Sequence, residues 1–238
     1  MSHMGTPPNT YTCSTVINGL CKDGQVDRAL QLKDIMINKW NSKPDAVAYS
    51  TIMDAFFKRG MVDKALHVFS EMQKDSNVIV DIVVLNTILS GLCNAQRFNE
   101  ADRVFEEMAI PPSVRSFNIM IYGYCLHGHH EKSRSYFDRM MDRGLVPDTI
   151  TFNILIDSHC KDGMVNDSWK LFRLMEKLKV KQDEITYGSM IDGLCLVGRV
   201  QDAAKLFESM KEKGIKPNVV ICNILIDGYC KHGGVGDA

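Results

Sequence analysis

Long hydrophobic runs are missing from this sequence of 238 residues. The most apolar stretch, from Val78 to Leu89, is broken by Asp81 and Asn86, whereas a membrane-spanning helix needs about 18 consecutive apolar residues. We therefore expect no membrane partner. An excess of charge of one sign is also missing, because 28 basic side chains stand against 29 acidic ones. This balance argues against a globally basic nucleic-acid binder but leaves room for a local basic stripe.

Sequence motifs of catalysis and metal binding are missing as well. The eight cysteines form no Cys-x-x-Cys pair, which zinc sites commonly contain. Cys13 and Cys21 would lie about 12 Å apart on one helix, too far for a disulfide. His129 and Glu131 resemble half of a zinc-deaminase motif, but no Pro-Cys-x-x-Cys follows. No P-loop, Gly-x-Ser-x-Gly or Gly-x-Gly-x-x-Gly motif is present. We expect no catalytic residue, no metal and no cofactor, and buried free thiols in a reducing compartment.

What the sequence does contain is an internal repeat. The segment of seven residues that starts at Thr151 has copies that start at Ser116, Thr186 and Ile221, in steps of 35 residues. Earlier copies are recognisable near the N-terminus. We divide the chain into an expression-tag remnant with the end of a preceding repeat (1–9), six complete repeats (10–45, 46–81, 82–113, 114–148, 149–183 and 184–218) and a truncated seventh repeat (219–238).

Each repeat has the pattern of two amphipathic helices. In the fifth repeat Phe152, Leu155, Ile156 and Cys160 form one helical stripe. A methionine stripe, predicted to be core, occupies one place in the second helix of all six complete repeats: Met36, Met72, Met108, Met140, Met175 and Met210. Since one helix pair cannot bury both of its apolar faces alone, stacked copies are required. The predicted fold is all-α, a right-handed superhelical solenoid of helix-turn-helix repeats.

The amino-acid pattern of the repeats resembles that of the pentatricopeptide repeat (PPR) family. The resemblance rests on segments such as Gly19-Leu20-Cys21-Lys22 and Asp227-Gly228-Tyr229-Cys230-Lys231, and on Glu208-Ser209-Met210 near the end of a second helix. The period of 35 residues resembles the P-class of the family. The Gly-Leu-Cys-Lys motif is similar to that of plant restorer-of-fertility-like members.

The resemblance implies sequence-specific binding of single-stranded RNA in a mitochondrion or chloroplast, with one base for each repeat. In this family the fifth residue and the last residue of a repeat read the base. The fifth places here hold Ser14, Ser50, Asn86, Asn118, Asn153, Gly188 and Asn223. The last places hold Asp45, Asp81, Ser113, Asp148, Asp183 and Asn218.

The expected base preference follows from the hydrogen-bonding groups of the bases together with the base code of the family that the sequence resembles. A carboxylate suits the imino N–H of U or G, whereas A and C need a donor, which Ser113 and Asn218 offer. The family's reading assigns pyrimidines to a fifth-place Asn and purines to a fifth-place Ser. The predicted RNA is 5′-GGCUU, followed by A and a pyrimidine. A is predicted for the sixth base because Gly188 offers no side chain and Asn218 favours A or C. The seventh base is a pyrimidine because its repeat has Asn223 at the fifth place. An alternative role for each last residue is helix capping, and the two roles can coexist.

Two further groups of residues follow from the resemblance. Second-place side chains are expected to stack on base faces, with the inter-repeat core as the alternative: Tyr11, Val47, Val83, Arg115, Ile150, Ile185 and Val220. Thirteenth-place lysines are expected near phosphates, with a helix-dipole role as the alternative: Lys22, Lys58, Lys161 and Lys231.

Other functions remain compatible with the sequence. A helical repeat array can also serve as a protein-binding scaffold, and these residues can be the RNA-binding segment of a larger RNA-processing enzyme. We expect no enzymatic activity in this segment itself. Exposed ends of the array favour self-association.

Overall fold

The computed structural model describes residues 8–40, 42–75 and 78–232, and every regular element within them is an α-helix. In chain order the helices are α1 (Thr10–Lys22), α2 (Val26–Asn38), α3 (Ala46–Lys58), α4 (Val62–Lys74), α5 (Ile82–Asn94), α6 (Phe98–Glu106), α7 (Val114–Leu126), α8 (His130–Asp142), α9 (Thr149–Lys161), α10 (Val165–Lys177), α11 (Glu184–Leu196), α12 (Val200–Glu212) and α13 (Val219–His232). The prediction of an all-α fold is confirmed. In these ranges, none of the helices has the length and hydropathy that a membrane span requires. The expression-tag remnant and the last six residues of the seventh repeat lie outside the described residues.

Each first helix begins at the residue that opens a repeat, because the residue before it caps the helix. Asp45 and Asp183 have extended backbones, and their carboxylates accept hydrogen bonds from the backbone N–H of Ala48 and Thr186 at 2.8 and 2.9 Å. A side chain that accepts from the third N–H of a helix satisfies a donor that has no partner within the helix. The last residue of one repeat therefore sets the start of the next.

The chain forms two compact units, which divide within α7 after Ile119. In the first unit α1, α3 and α5 pack side by side, and each also packs against the second helix that follows it. In the second unit α9, α11 and α13 pack side by side, while α10 and α12 each bridge two consecutive first helices. Each unit is thus a stack of helix pairs in which the first helices form one layer.

Glycine at the tenth place of a repeat allows neighbouring first helices to approach closely. A Cβ atom at Gly193 would lie 2.5 Å from both Cβ and Sγ of Cys160, and a Cβ at Gly228 would lie 2.5 Å from Sγ of Cys195. The cysteine at the twelfth place of one repeat therefore fills the space left by the glycine of the next. Burial raises the pKa of the Cys160 and Cys195 thiols to about 11, so both are neutral packing groups near pH 7.

The methionine stripe lies in the core, with one exception. Five members are fully buried: Met36, Met72, Met140, Met175 and Met210. Met108 is partly exposed, because α6 ends at Glu106 and has 9 residues, whereas the other second helices have 13. The expectation that Met108 lies at the end of a second helix in the core was wrong. Met108 keeps its place in the repeat, so the residues missing from the short third repeat follow it, and α6 ends two residues before it.

Candidate nucleic-acid interface

The second-place side chains lie on the surface. The six apolar members are between 59% and 80% exposed: Tyr11, Val47, Val83, Ile150, Ile185 and Val220. Arg115 is exposed too. The alternative that these side chains form the inter-repeat core is therefore wrong. The same place on every first helix, close to its N-terminus, presents an accessible side chain that is apolar in six of seven cases.

Second-place and fifth-place side chains meet in grooves along the first helices. In the first unit a groove of about 420 Å³ is lined by Val47, Ser50, Asp81 and Val83. It therefore contains two second-place residues, one fifth-place residue and one last-place residue. These four side chains occupy one surface, as the proposed reading of a base would require.

A second groove, in the second unit, has a volume of about 540 Å³. Asn153, Lys161 and Ile185 are among its lining residues, and these occupy the fifth, thirteenth and second places of their repeats. The three kinds of residue that the sequence singled out are thus adjacent here. Asp157 and Ser189, which the sequence reasoning did not select, line the same groove.

The fifth-place side chains differ in exposure. Ser14, Asn86 and Asn118 are 7–8% exposed, Ser50, Asn153 and Gly188 are half-buried, and Asn223 is exposed. A groove that opens between repeats can contact a half-buried side chain without rearrangement. The more deeply buried ones offer a base only the edge that remains at the surface.

The last-place carboxylates use one oxygen to cap the following helix. In Asp45, Asp81 and Asp183 the capping N–H groups and the fifth-place side chains donate to Oδ1 of the carboxylate. Capping therefore leaves Oδ2 as a second acceptor in each carboxylate. Burial opposes ionisation of Asp183, but hydrogen bonds from Thr186 and Asn153 outweigh it and lower the pKa of that carboxyl. Asp183 is an anion at neutral pH.

Two of the fifth-place residues bond directly to the carboxylate at the end of the same repeat. The Ser14 hydroxyl donates to Asp45 Oδ1 at 3.0 Å, and Asn153 Nδ2 donates to Asp183 Oδ1 at 3.0 Å. Ser50 instead donates to the carbonyl oxygen of Ala46 in its own helix at 2.8 Å. The second repeat thus has the predicted residue types but not the direct contact between them that the first and fifth repeats show.

The third and sixth repeats are arranged differently again. In the third repeat, Asn86 Oδ1 is buried without a hydrogen-bond partner among the described residues, which is costly for a polar atom unless a ligand satisfies it.

In the sixth repeat, the fifth place is Gly188. Ile221 bounds the space beside its backbone, since the Ile221 Cγ1 atom lies 3.4 Å from where a Cβ on Gly188 would be. Asn218 Nδ2 donates to Glu184 at the start of α11. The sixth repeat therefore has no polar fifth-place side chain, and its last-place amide is bonded to Glu184.

Three of the four thirteenth-place lysines form ion pairs that the sequence reasoning missed. Lys58, Lys161 and Lys231 each contact the aspartate four residues earlier, with N–O distances of 2.6–2.7 Å. All three lysines are exposed, and such pairs contribute only about 0–1 kcal/mol. Lys22 forms no ion pair within the described ranges. The spacing of four residues between acid and base on a helix was the signal that would have revealed these pairs.

The residues that resembled half of a zinc motif belong to the start of a helix. His129 immediately precedes α8, and Glu131 lies in its first turn. In the part of the chain that the structure describes, no three His, Cys, Asp or Glu side chains are placed to hold a metal ion. These residues add nothing to the groove described above.

Comparison with known proteins identifies repeats along most of the chain. A PPR repeat family model matches residues 8–56, 112–161, 147–196 and 195–231, and a second model, described as PPR repeat, matches residues 40–73 and 76–109. No curated protein matches the whole sequence closely enough to be counted as a relative.

Solved structures agree with the family models. PPR10 in complex with an 18-nt psaJ RNA element is 27% identical, with a TM-score of 0.76 over 94% of this chain and 33% of PPR10. PPR10 from maize is 18% identical, with a TM-score of 0.68 over 95% of this chain and 37% of that one. The PPR domain of Arabidopsis thaliana protein-only RNase P 1 in complex with tRNA is 14% identical, with a TM-score of 0.59 over 75% of this chain and 95% of that domain. The chain spans about a third of the length of PPR10.

The family models cover well over half of the sequence, and the helix pairs of the structure match those of solved members. The chain belongs to the pentatricopeptide repeat family.

Proposed function

We propose that this chain binds single-stranded RNA along the grooves of its first helices. The observation that carries the proposal is the repeated surface in which exposed aliphatic side chains flank polar groups, as Val47 and Val83 flank Ser50 and Asp81. Nucleobases have apolar faces and polar edges, so an apolar clamp beside a hydrogen-bonding pair matches their chemistry. The similarity to PPR10 in complex with an RNA element supports the same conclusion.

Each of the six complete repeats, and the truncated seventh through Asn223, contributes one base contact in this proposal. A last-place carboxylate caps the next helix with Oδ1 and accepts the imino N–H of U or G with Oδ2. The fifth-place residue selects between purine and pyrimidine, which gives 5′-GGCUU, then A and a pyrimidine.

Phosphates are proposed to lie near the thirteenth-place lysines. Lys22 is available directly, whereas Lys58, Lys161 and Lys231 would share their ammonium groups between an aspartate and a phosphate. An ammonium group has three donors, so both contacts are compatible. Affinity is then expected to fall as salt concentration rises.

The biological role that we propose is RNA processing or stabilisation in a mitochondrion or chloroplast, without catalysis by these residues. The P-class and restorer-like assignments belong to the same proposal. A larger enzyme that contains this segment remains a second candidate, because the chain is also similar in fold to the PPR domain of an RNase P. Self-association through the ends of the array stays a prediction, which light scattering would test.

The proposal is tested by a matched pair of valine variants. Val47 is 64% exposed and lines a groove, whereas Val146 is 65% exposed and lines none of the grooves described above. Val47→Ala and Val146→Ala remove the same atoms from equally exposed sites. We expect Val47→Ala to weaken binding of single-stranded RNA in a gel-shift assay about two- to five-fold and Val146→Ala to leave it unchanged. Equal affinities of both variants and the unmodified chain would refute a stacking role, and equal affinity for RNA and DNA of the same sequence would refute RNA selectivity.

A further inference from the structure

Thr186 lies where the fifth repeat's pair of polar residues meets the next repeat. It is the third residue of the sixth repeat, and its side chain is fully buried. Its hydroxyl oxygen lies 2.6 Å from Asn153 Oδ1 and 2.9 Å from Asp183 Oδ1. The sequence reasoning assigned no function to this place.

The contacts around Asn153 fix the orientation of its amide group. Nδ2 donates to the Asp183 carboxylate at 3.0 Å, and Oδ1 accepts from the Thr186 hydroxyl at 2.6 Å. With the amide reversed, Oδ1 would face a carboxylate oxygen and both groups would be acceptors. The backbone N–H of Asp183 donates to the Thr186 oxygen at 3.2 Å, which leaves the single hydroxyl proton for an acceptor. The hydroxyl is therefore held as a donor toward Asn153.

This arrangement determines which atoms remain for a base. Asp183 Oδ1 accepts from Asn153 Nδ2 and from the Thr186 N–H, whereas Oδ2 keeps its acceptor capacity. One N–H of the Asn153 amide is committed to the carboxylate, and the other keeps a free direction. A uracil that donates its imino N–H to Asp183 Oδ2 and accepts from the second N–H of Asn153 satisfies both groups.

From this geometry, and given the RNA-binding function proposed above, we infer that Thr186 is a positioning residue for base reading by the fifth repeat. The hydroxyl holds the Asn153 amide in the orientation that favours U. The reading group of this repeat then consists of three residues, the third of which comes from the following repeat. The first two repeats lack such a group, because the corresponding residues of the repeats that follow them are Ala48 and Val84.

The loss of this hydroxyl leaves a specific defect. In Thr186→Val a methyl group replaces the hydroxyl, and Asn153 Oδ1 loses its donor at a buried position. The amide is then free to turn away from the carboxylate, so the preference for U at the fifth base should weaken. The backbone N–H of residue 186 still donates to Asp183, whereas the Asp183 N–H loses its acceptor, so a control for lost capping is needed.

The test measures binding of the full chain to four RNAs of sequence GGCUUAU in which the fifth base is U, C, A or G, by fluorescence anisotropy. We expect Thr186→Val to lower the preference for U over the other bases about three- to ten-fold, with little change when the second base is varied instead. Thr186→Ser, which keeps the hydroxyl, should retain the preference. Ser116→Ala is the control for lost capping, because Ser116 accepts a hydrogen bond from the Ser113 N–H at 3.2 Å at the start of another helix, and it should leave the preference at the fifth base unchanged.

The outcomes separate two failures. An unchanged preference for U in Thr186→Val overturns the positioning role while the proposed function stands. An unmodified chain without a preference at the fifth base, or without RNA binding, overturns the base-reading proposal and the role of Thr186 with it. Circular dichroism of each variant shows whether the helices are intact. If Thr186→Val is unfolded, the result for Thr186→Ser decides: loss of the preference in this folded, hydroxyl-bearing variant also overturns the inference.

Discussion

Replacing Gly193 by alanine tests whether the first helices α9 and α11 are held at the distance that the structure shows. The added Cβ would lie 2.5 Å from Cβ and Sγ of Cys160 and 3.2 Å from its Cα. These atoms are close to the backbone of α9, so a rotamer change alone cannot relieve the overlap. The two helices must separate, and such overpacking costs about 1–3 kcal/mol.

An opposing effect has to be removed from this comparison. Alanine in the interior of a helix is more stable than glycine by about 0.5–1 kcal/mol. Gly19 occupies the same tenth place in α1, but an added Cβ there meets no atom within 4 Å. Gly19→Ala therefore gains the helix propensity without the overlap. The difference between the two variants gives the cost of the overlap itself.

Thermal unfolding followed by circular dichroism measures this difference. For a chain of this size about 1 kcal/mol corresponds to about 2–4 °C in Tm, so Gly193→Ala should melt roughly 2–12 °C below Gly19→Ala. Ala55 occupies the tenth place of the second repeat and is buried, so the requirement for glycine depends on the local helix separation. Equal melting temperatures for the two variants would show that α9 and α11 are not packed as closely as described.

Three further predictions concern aspartates in the first helices or directly before one of them. Asp157→Asn removes the partner of Lys161 and a negative charge near the proposed phosphate path. The affinity for RNA should therefore rise about two- to five-fold at low salt. An unchanged affinity in anisotropy titrations would show that the phosphates lie elsewhere. Burial, and to a smaller extent the charge of Asp157, raises the pKa of Asp192 in the folded chain. The folded state therefore favours the protonated carboxyl, and the stability that Asp192 contributes is present below its unfolded pKa. This stability is lost as the pH rises through the folded pKa. Asp192→Asn should therefore raise Tm by about 1–3 °C at pH 7 and by less near pH 4; an equal gain at both pH values would contradict this assignment. Asp148→Asn should shift the preference of the fourth repeat from U toward C, because an amide can donate to the bare ring nitrogen of cytosine; an unchanged preference in a panel of RNAs varied at the fourth base would argue against reading by Asp148.

The repeat pattern allowed much of the fold to be predicted from sequence. The period, the two helical stripes and the capping residues all indicate the same helix pairs, and the first helices begin at Thr10, Ala46 and the other residues at which the repeats were divided. These features are local, since an N-cap such as Asp183 acts within one turn of the helix that it starts. Met108 was misplaced because the loss of residues in the third repeat shortens a helix, and helical periodicity does not show where a helix ends.

The candidate site was less accessible to sequence reasoning. The exposure of the second-place side chains could not be decided, because an aliphatic residue near the start of a helix suits a core as well as a surface. The role of Thr186 depends on a contact with Asn153, which lies 33 residues away, and no local pattern encodes this contact. The ion pair between Asp157 and Lys161 was readable from spacing alone and was overlooked.

The most direct test of base reading compares two RNAs of identical composition. Anisotropy titrations of the full chain with GGCUUAU and with a scrambled version of it hold charge and length constant, so that only the order of the bases differs. The proposed function predicts that the matched RNA binds at least about ten-fold more tightly. Equal affinity for both RNAs would contradict reading of the bases by the fifth-place and last-place residues.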